Sequence, residues 1–183
     1  MNVVILAGGA SSRMGRDKAD LPWQGTTVLG HLIALVRSAD CRPLVVGRSD
    51  APGADAIADS EADQGPLGGL VTALDHLRMD CLLLACDLPL LDLPALQWLI
   101  DHRDRAALHG LAVECGGQLE PCFGLYRPAV VELARERLAS GKRSLHGLIE
   151  AGRFTTEDLP FEHHAALRNV NTPAEWAALG GAS

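Results

Sequence analysis

Apolar residues fall into two rhythms along this chain. Short uninterrupted runs alternate with longer stretches in which apolar positions recur every three or four residues. Val3-Val4-Ile5-Leu6, Pro43-Leu44-Val45-Val46 and Cys81 through Cys86 belong to the first kind and predict buried strands, with a weaker one over 54–58. Val28, Leu29, Leu32, Ile33, Leu35 and Val36 mark one face of a helix over 26–38. A second helix is expected over 68–78, after Gly65-Pro66-Leu67. Asp92 starts a third through His102, with Pro94 in the first turn, where proline is tolerated. Residues 107–114 and 118–126 read as two strands joined at Gly116-Gly117, and 128–138, 144–149 and 173–179 as helices. Strands alternating with helices predict an α/β fold: a three-layer α/β/α sandwich, Rossmann-like, with a mainly parallel sheet. Crossovers should be right-handed and ligands should lie beyond the carboxyl ends of the strands. No repeat, low-complexity tract or linker divides residues 1–183, so a single domain is expected.

The segment after the first strand carries the chemistry. Residues 6–18 read Leu6-Ala7-Gly8-Gly9-Ala10-Ser11-Ser12-Arg13-Met14-Gly15-Arg16-Asp17-Lys18. Glycines let backbone N–H groups approach a ligand closely, and consecutive N–H groups form an anion-binding concavity. Arg13, Arg16 and Lys18 add positive charge where an anion would sit. The pattern predicts a triphosphate cradle at the end of the first strand. It is not a Walker loop, because Lys18 is followed by Ala19 and the glycine spacing is wrong. Nor is it a dinucleotide fingerprint, because Gly8 and Gly9 are adjacent, which argues against an oxidoreductase using such a cofactor.

Asp87 is the second candidate. It follows the most apolar strand directly, at the edge where open α/β sheets bind ligands. A carboxylate there suits a hard cation such as Mg²⁺, which takes one or two carboxylates plus phosphate oxygens and water. Asp92 is better placed to cap the next helix. Asp59 with Gly65–Gly69 fits either nucleotide contact or a strand-to-helix turn packed on the sheet. Asn169 and Asn171 flank Val170 with strand alternation, which would aim both amides at one face, toward a second substrate or a metal; capping of the last helix is the other reading. Arg143-Ser144, near Gly141-Lys142, fits contact with an anionic second substrate but reads first as a solvated helix start, and His163-His164 as surface histidines.

Charge and cysteine content narrow the partners. A net charge of −7 argues against nucleic acid or an anionic membrane, while the basic residues at 13–18 concentrate positive charge in one loop. The longest apolar stretches are too short to span a bilayer, and no signal region precedes the first strand. Five cysteines without a C-x-x-C pair read as buried thiols in a reducing cytoplasm, not as bridges or a metal site.

The motif L-A-G-G-x-S-x-R-M-G-x-D-K resembles the signature of the molybdenum cofactor guanylyltransferases, within the wider nucleotidyltransferase superfamily. Further matches follow in order: Asp59 ahead of Gly65-Pro66-Leu67-Gly68-Gly69, then Cys86-Asp87-Leu88-Pro89, Glu120 through Tyr126, and Asn169-Val170-Asn171-Thr172-Pro173. One departure is the loop Val46-Gly47-Arg48-Ser49, where the family commonly has asparagine.

The resemblance implies a nucleotidyltransferase fold and transfer of GMP from GTP to the phosphate of molybdopterin or its molybdenum-loaded form. It implies nucleotide contacts from Leu6, Ala7, Gly8, Gly9, Arg13, Lys18, Asp59 and Asp87, catalytic roles for Arg13, Lys18 and Asp87, and Mg²⁺ on Asp87. Asn169 and Asn171 would meet the second substrate. Molybdoenzymes or other cofactor-biosynthesis proteins would be protein partners. A cytidylyltransferase for the same pterin is the nearest alternative, although that branch usually reads L-A-A-G where Gly8 stands here. A non-catalytic pterin-handover protein is the other, and retention of Lys18 and Asp87 speaks against it. Since Gly8 lacks a Cβ where the strand ends, it is expected to make room for a purine, so Gly8→Ala should narrow a preference for GTP over CTP.

Overall fold

The strand β1 (Asn2–Leu6) lies inside an eight-stranded sheet in the computed structural model, which describes residues 1–8, 17–60, 64–170 and 173–179. Its neighbours are β4 (Arg42–Val46) on one side and β6 (Cys81–Ala85) on the other, both parallel. Two very short strands, β2 (Pro22–Trp23) and β3 (Thr26–Thr27), form a separate hairpin ahead of helix α1 (Val28–Ser38). Beyond β4 lies β5 (Asp55–Ile57). Helix α2 (Gly65–Leu77) returns the chain across β1 to β6, and α3 (Leu93–Asp101) follows. On the far side, β7 (Gly110–Cys115), β8 (Gln118–Leu119) and β9 (Gly124–Tyr126) are antiparallel to one another or to β6. Helices α4 (Val131–Ala139) and α5 (Leu145–Ala151) lead to the edge strand β10 (Phe154–Asp158), parallel to β7, and α6 (Pro173–Ala178) comes last. The order is β10-β7-β9-β6-β1-β4-β5, with β8 on β7. Four of its seven strand pairings are parallel, so the sheet is mixed and mostly parallel, as expected.

Strand alternation builds the layers. Val3 and Ile5 of β1, Val45 of β4 and Leu82 and Leu84 of β6 pack with α1 and α3. Val4, Leu6, Val46 and Leu83 pack on the opposite face with α2, α4 and α5. The crossover β1–α1–β4 steps one way along the sheet and β5–α2–β6 steps back. Helices on opposite faces are what two crossovers of one hand require.

Local sequence explains most boundaries. The Thr27 hydroxyl accepts from Gly30 N (3.0 Å) and the Asp92 carboxylate from Ala95 N (3.0 Å), each capping a helix start. Thr26 and Thr27 therefore belong to the hairpin and its cap, so α1 begins at Val28 and not at residue 26. Helix α2 starts at Gly65, three residues earlier than expected, because Pro66 sits in the first turn where its missing N–H costs nothing. Gly116 and Gly117, both at positive φ, close the β7–β8 turn where the sequence places it.

The second strand of that pair is not continuous. After Leu119 the chain turns at 120–123, where Phe123 N donates to Glu120 O (2.9 Å), and strand structure resumes only at Gly124. Pro121 has no N–H for a ladder, which favours the interruption. The edge strand β10 was not expected. Phe154-Thr155-Thr156-Glu157-Asp158 has no apolar run, being exposed or half-buried throughout.

The Tyr126 hydroxyl, 1% exposed, donates to Pro121 O (2.7 Å) and ties the 120–123 turn back to the sheet. Tyr126→Phe should destabilise the protein by about 1–3 kcal/mol, the range for stranding a buried acceptor. Urea unfolding with an unchanged m-value would show it.

Candidate active site

The order of the strands reverses between β1 and β6, and their carboxyl ends lie side by side: Leu6 is opposite Ala85, and Cys86 N donates to Leu6 O (3.3 Å). A crevice opens where strand order reverses, because the flanking crossovers leave in opposite directions. Gly8 and Asp87 thus share one crevice.

Two cavities occupy it. One of about 190 Å³ is lined by Leu6 at the end of β1 and by Ala7 and Gly8 just beyond it, by Asp17 and Lys18, and by Asp87. The other, about 390 Å³, is lined by Asp87, Glu120, Arg143, His146 and Asn169 among others. Pro66, Asp87 and Cys122 belong to both. Asp87 therefore stands where the two cavities meet. A larger hollow between α2 and α4 lies away from the strand ends, and its cation, Arg135, is already paired with Asp75 and Glu132.

Each charged group has a definite setting. Burial pushes the Asp87 carboxyl above the usual aspartate range, and the nearby Lys18 charge opposes that rise. Glu120 is raised too, first by burial and then by the charge of Asp87. Two desolvated carboxylates on one cavity repel, and a cation between them would relieve both. Lys18 lies in a single 3₁₀ turn, Lys18–Asp20, whose start is capped by Asp17 Oδ1 accepting from Ala19 N (3.0 Å). The segment after α5 and β10 also reaches the site. Val170 N donates to Asp87 O (3.1 Å), which brings Asn169 to the second cavity.

Of the residues singled out from sequence, Leu6, Ala7, Gly8, Lys18, Asp87 and Asn169 come together here. Gly9, Arg13 and Asn171 lie outside the described residues. Asn169 does not lie on a strand; it follows a 3₁₀ segment, Phe161–Leu167, and the hydrogen bond at Val170 holds it in place of a ladder. Asp59 sits beside the Gly8 backbone and Gly69, not among the cavity-lining residues, and burial raises its carboxyl. Gly69 packs on the sheet: a Cβ there would meet Leu6 Cδ2 at 2.8 Å.

Glu120, Cys122 and Pro66, which the sequence offers only within motifs and without a role, line the larger cavity together with His146, and so does Arg143, which the sequence reads first as a helix start. Ser144 does cap α5, accepting from Gly147 N (3.3 Å), but Arg143 beside it lines the cavity and donates to Gln64 Oε1 (3.3 Å). The Glu120-Pro121 step, polar and ladder-breaking inside an apolar strand pattern, was the available signal.

Gly8 also requires a correction. Its Cβ would lie 2.9 Å from Gly47 Cα and 2.9 Å from Asp59 Oδ2. The direction in which a Cβ would leave Gly8 is filled by the neighbouring loop, so the missing side chain opens no room there and serves packing within the protein. Gly47 meets the same constraint from the other side, since a Cβ on it would overlap Gly8 Cα, and it adopts a φ of 98°.

A mostly parallel sheet with a glycine- and lysine-bearing segment beyond its first strand and a carboxylate beyond β6 defines an enzyme of the nucleotidyltransferase fold. Residues 3–157 match the model of the MobA-like NTP transferase domain, and the chain belongs to that family. It is 34% identical to a molybdenum cofactor guanylyltransferase of Xanthomonas euvesicatoria, covering 96% of this chain and 92% of that protein. It is 35% identical to another from Pseudomonas paraeruginosa, over 94% of this chain and 90% of that one. Among solved structures, a molybdopterin-guanine dinucleotide biosynthesis protein A from Archaeoglobus fulgidus superposes with a TM-score of 0.80 at 21% identity, covering 97% of this chain and 96% of that one. A 2-C-methyl-D-erythritol 4-phosphate cytidylyltransferase from Thermus thermophilus superposes at 0.68 with 16% identity, covering 97% of each chain, and shares the fold.

Two outcomes follow for this site. Because the folded-state pKa of Asp87 is raised, ionising it disfavours folding. That cost is absent below the unfolded aspartate pKa of about 3.9, where both states are protonated, and complete above the raised folded value. Asp87→Asn should therefore melt above the wild type at pH 7, with the gap closing as pH falls toward 4 in calorimetric scans. Gly8→Ala should be destabilising by about 1–3 kcal/mol through overpacking against Gly47, and should depress turnover with GTP and CTP alike. A narrowed GTP:CTP ratio at unchanged stability would contradict it.

Proposed function

We propose that this protein is a molybdenum cofactor guanylyltransferase, transferring GMP from GTP to the phosphate of molybdopterin or its molybdenum-loaded form and releasing pyrophosphate. The observation that carries this is the meeting of two cavities at Asp87, one reached by Lys18 and the β1 end, the other flanked by Arg143, His146 and Asn169. Nearly full-length likeness to enzymes bearing that name supports the choice of donor and acceptor.

In this reading the triphosphate lies in the smaller cavity with its α-phosphorus near Asp87. An oxygen of the acceptor phosphate, entering from the larger cavity, forms a bond to that phosphorus, and the bond to the pyrophosphate oxygen breaks. A phosphate monoester has a second pKa of about 6 and is largely ionised at neutrality, so no strong general base is needed. Lys18 neutralises charge on the triphosphate, and Arg143 offers the acceptor phosphate a cation. Catalysis is then positioning and charge stabilisation.

The donor set fits Mg²⁺. Among the described residues no three His, Cys, Asp or Glu side chains cluster as a self-sufficient metal cage, whereas Asp87 with Glu120 matches an ion that takes its remaining ligands from phosphate and water. Held by Asp87, the ion would neutralise charge developing on the phosphates. The five free thiols suit a reducing cytoplasm, and no described helix is long and apolar enough to cross a membrane.

Pyrophosphate release is the test. Protein, Mg²⁺, molybdopterin and GTP should release it, with a much lower kcat/KM for CTP; a preference for CTP would make the protein the cytidylyl counterpart. Asp87→Asn should lower turnover about a hundredfold or more at saturating Mg²⁺. A protein that binds the pterin but releases no pyrophosphate with either nucleotide would be a handover module instead.

A further inference from the structure

We propose that Arg48 is a positioning residue for Lys18, clamping the turn that carries the lysine to the loop that ends β4. The proposal rests on the nucleotidyl-transfer reading of the cleft.

The base of the clamp is anchored by the sheet. Ala7 N donates to Val46 O (2.9 Å), and Gly47 N donates to Ile57 O (3.0 Å). Gly47 lies against Gly8 so closely that neither tolerates a Cβ. The residue that leaves this point is Arg48. Its guanidinium spans to the Lys18 turn: Nη1 donates to Asp20 Oδ1 (2.8 Å), and Nη2 to Asp17 Oδ2 (2.9 Å) and to Asp20 Oδ2. The other oxygen of Asp17 accepts Ala19 N and closes the turn. One side chain thus holds both carboxylates that flank Lys18.

The arrangement acts in two ways. A planar guanidinium can engage two carboxylates at fixed angles, which a lysine ammonium cannot do, so the turn is held in orientation as well as in place. It also offsets the charge of Asp17, which lines the triphosphate cavity, and of Asp20. Uncompensated, two carboxylates beside Lys18 would repel a polyanion and draw the ammonium toward themselves. The Arg48 side chain is 24% exposed and that of Asp17 is 38%, so this pairing is only partly screened by solvent. Asp17 and Lys18 line the cavity while Arg48 grips Asp17 and Asp20 from the loop after β4, so its influence on the phosphates passes through the turn.

A double-mutant cycle tests this, with kcat and the KM for GTP measured for the wild type, Arg48→Gln, Lys18→Ala and the double variant. Arg48→Gln should lower kcat tenfold or more with the KM for GTP changed less than threefold. In the Lys18→Ala background the same substitution should change kcat less than twofold. Arg48→Lys should recover only part of the loss. Additive effects, an unchanged kcat or a change confined to KM would overturn the proposal. Hydrogen exchange supplies a readout independent of activity: the Ala19 amide should exchange at least tenfold faster in Arg48→Gln, and unchanged protection overturns the clamp. If Arg48→Gln does not fold, Arg48→Lys carries the same cycle and exchange measurement. A wild type that releases no pyrophosphate from GTP with the pterin would sink the functional reading instead, and the exchange result would still decide whether the clamp exists.

Discussion

Parallel hydrogen bonding between β1 and β6 runs from Asn2 opposite Cys81 to Leu6 opposite Ala85, and Cys86 extends it by one bond. Both strands are buried on both faces, with Val3, Val4, Ile5, Leu82, Leu83 and Leu84 at 0% exposure, so neither can slip without moving apolar side chains out of two cores at once. That register determines which residues emerge together at the crevice. A shift of one position would withdraw Asp87 from the level of Gly8 and part the two cavities.

Other segments are brought to this edge by a few bonds. The Tyr126 hydroxyl holds Pro121, and with it the turn bearing Glu120 and Cys122. Val170 is tied to the Asp87 carbonyl, and Arg48 holds the Lys18 turn. These ties are polar, while the helices and sheet that frame them are held by burial. Asp87 and Glu120 are placed against the interest of stability, since burial disfavours both charges. Destabilised groups gathered where ligands enter are what a site for charge neutralisation requires.

The contact between Gly8 and Gly47 changes what the first loop means. Glycine in a phosphate-binding segment invites an interpretation through the ligand, because an open backbone can approach phosphate or base. Here the missing side chain of Gly8 is accounted for by the loop after β4, which presses against it and launches Arg48. The same loop thus packs the end of β1 and orients the cation beside it.

Much of this was legible along the chain because local patterns carry local physics. The uninterrupted run Cys81–Cys86 marked a strand buried on both faces, threonine and aspartate marked helix starts, and paired glycines marked a turn. Asp87 is legible because its position directly after such a strand is itself a sequence feature. What only the tertiary structure decided involves partners far apart in the chain. Glu120 and Arg143 enter the second cavity through a broken strand and a helix cap that look ordinary in sequence. The half-exposed β10 has no apolar signature and exists because β7 offers it an edge. The Arg48 fork joins residues 28 and 31 positions apart. Periodicity and capping determine elements, since they depend on neighbours within a few residues; the convergence of charges depends on register and crossover direction, which no single segment encodes.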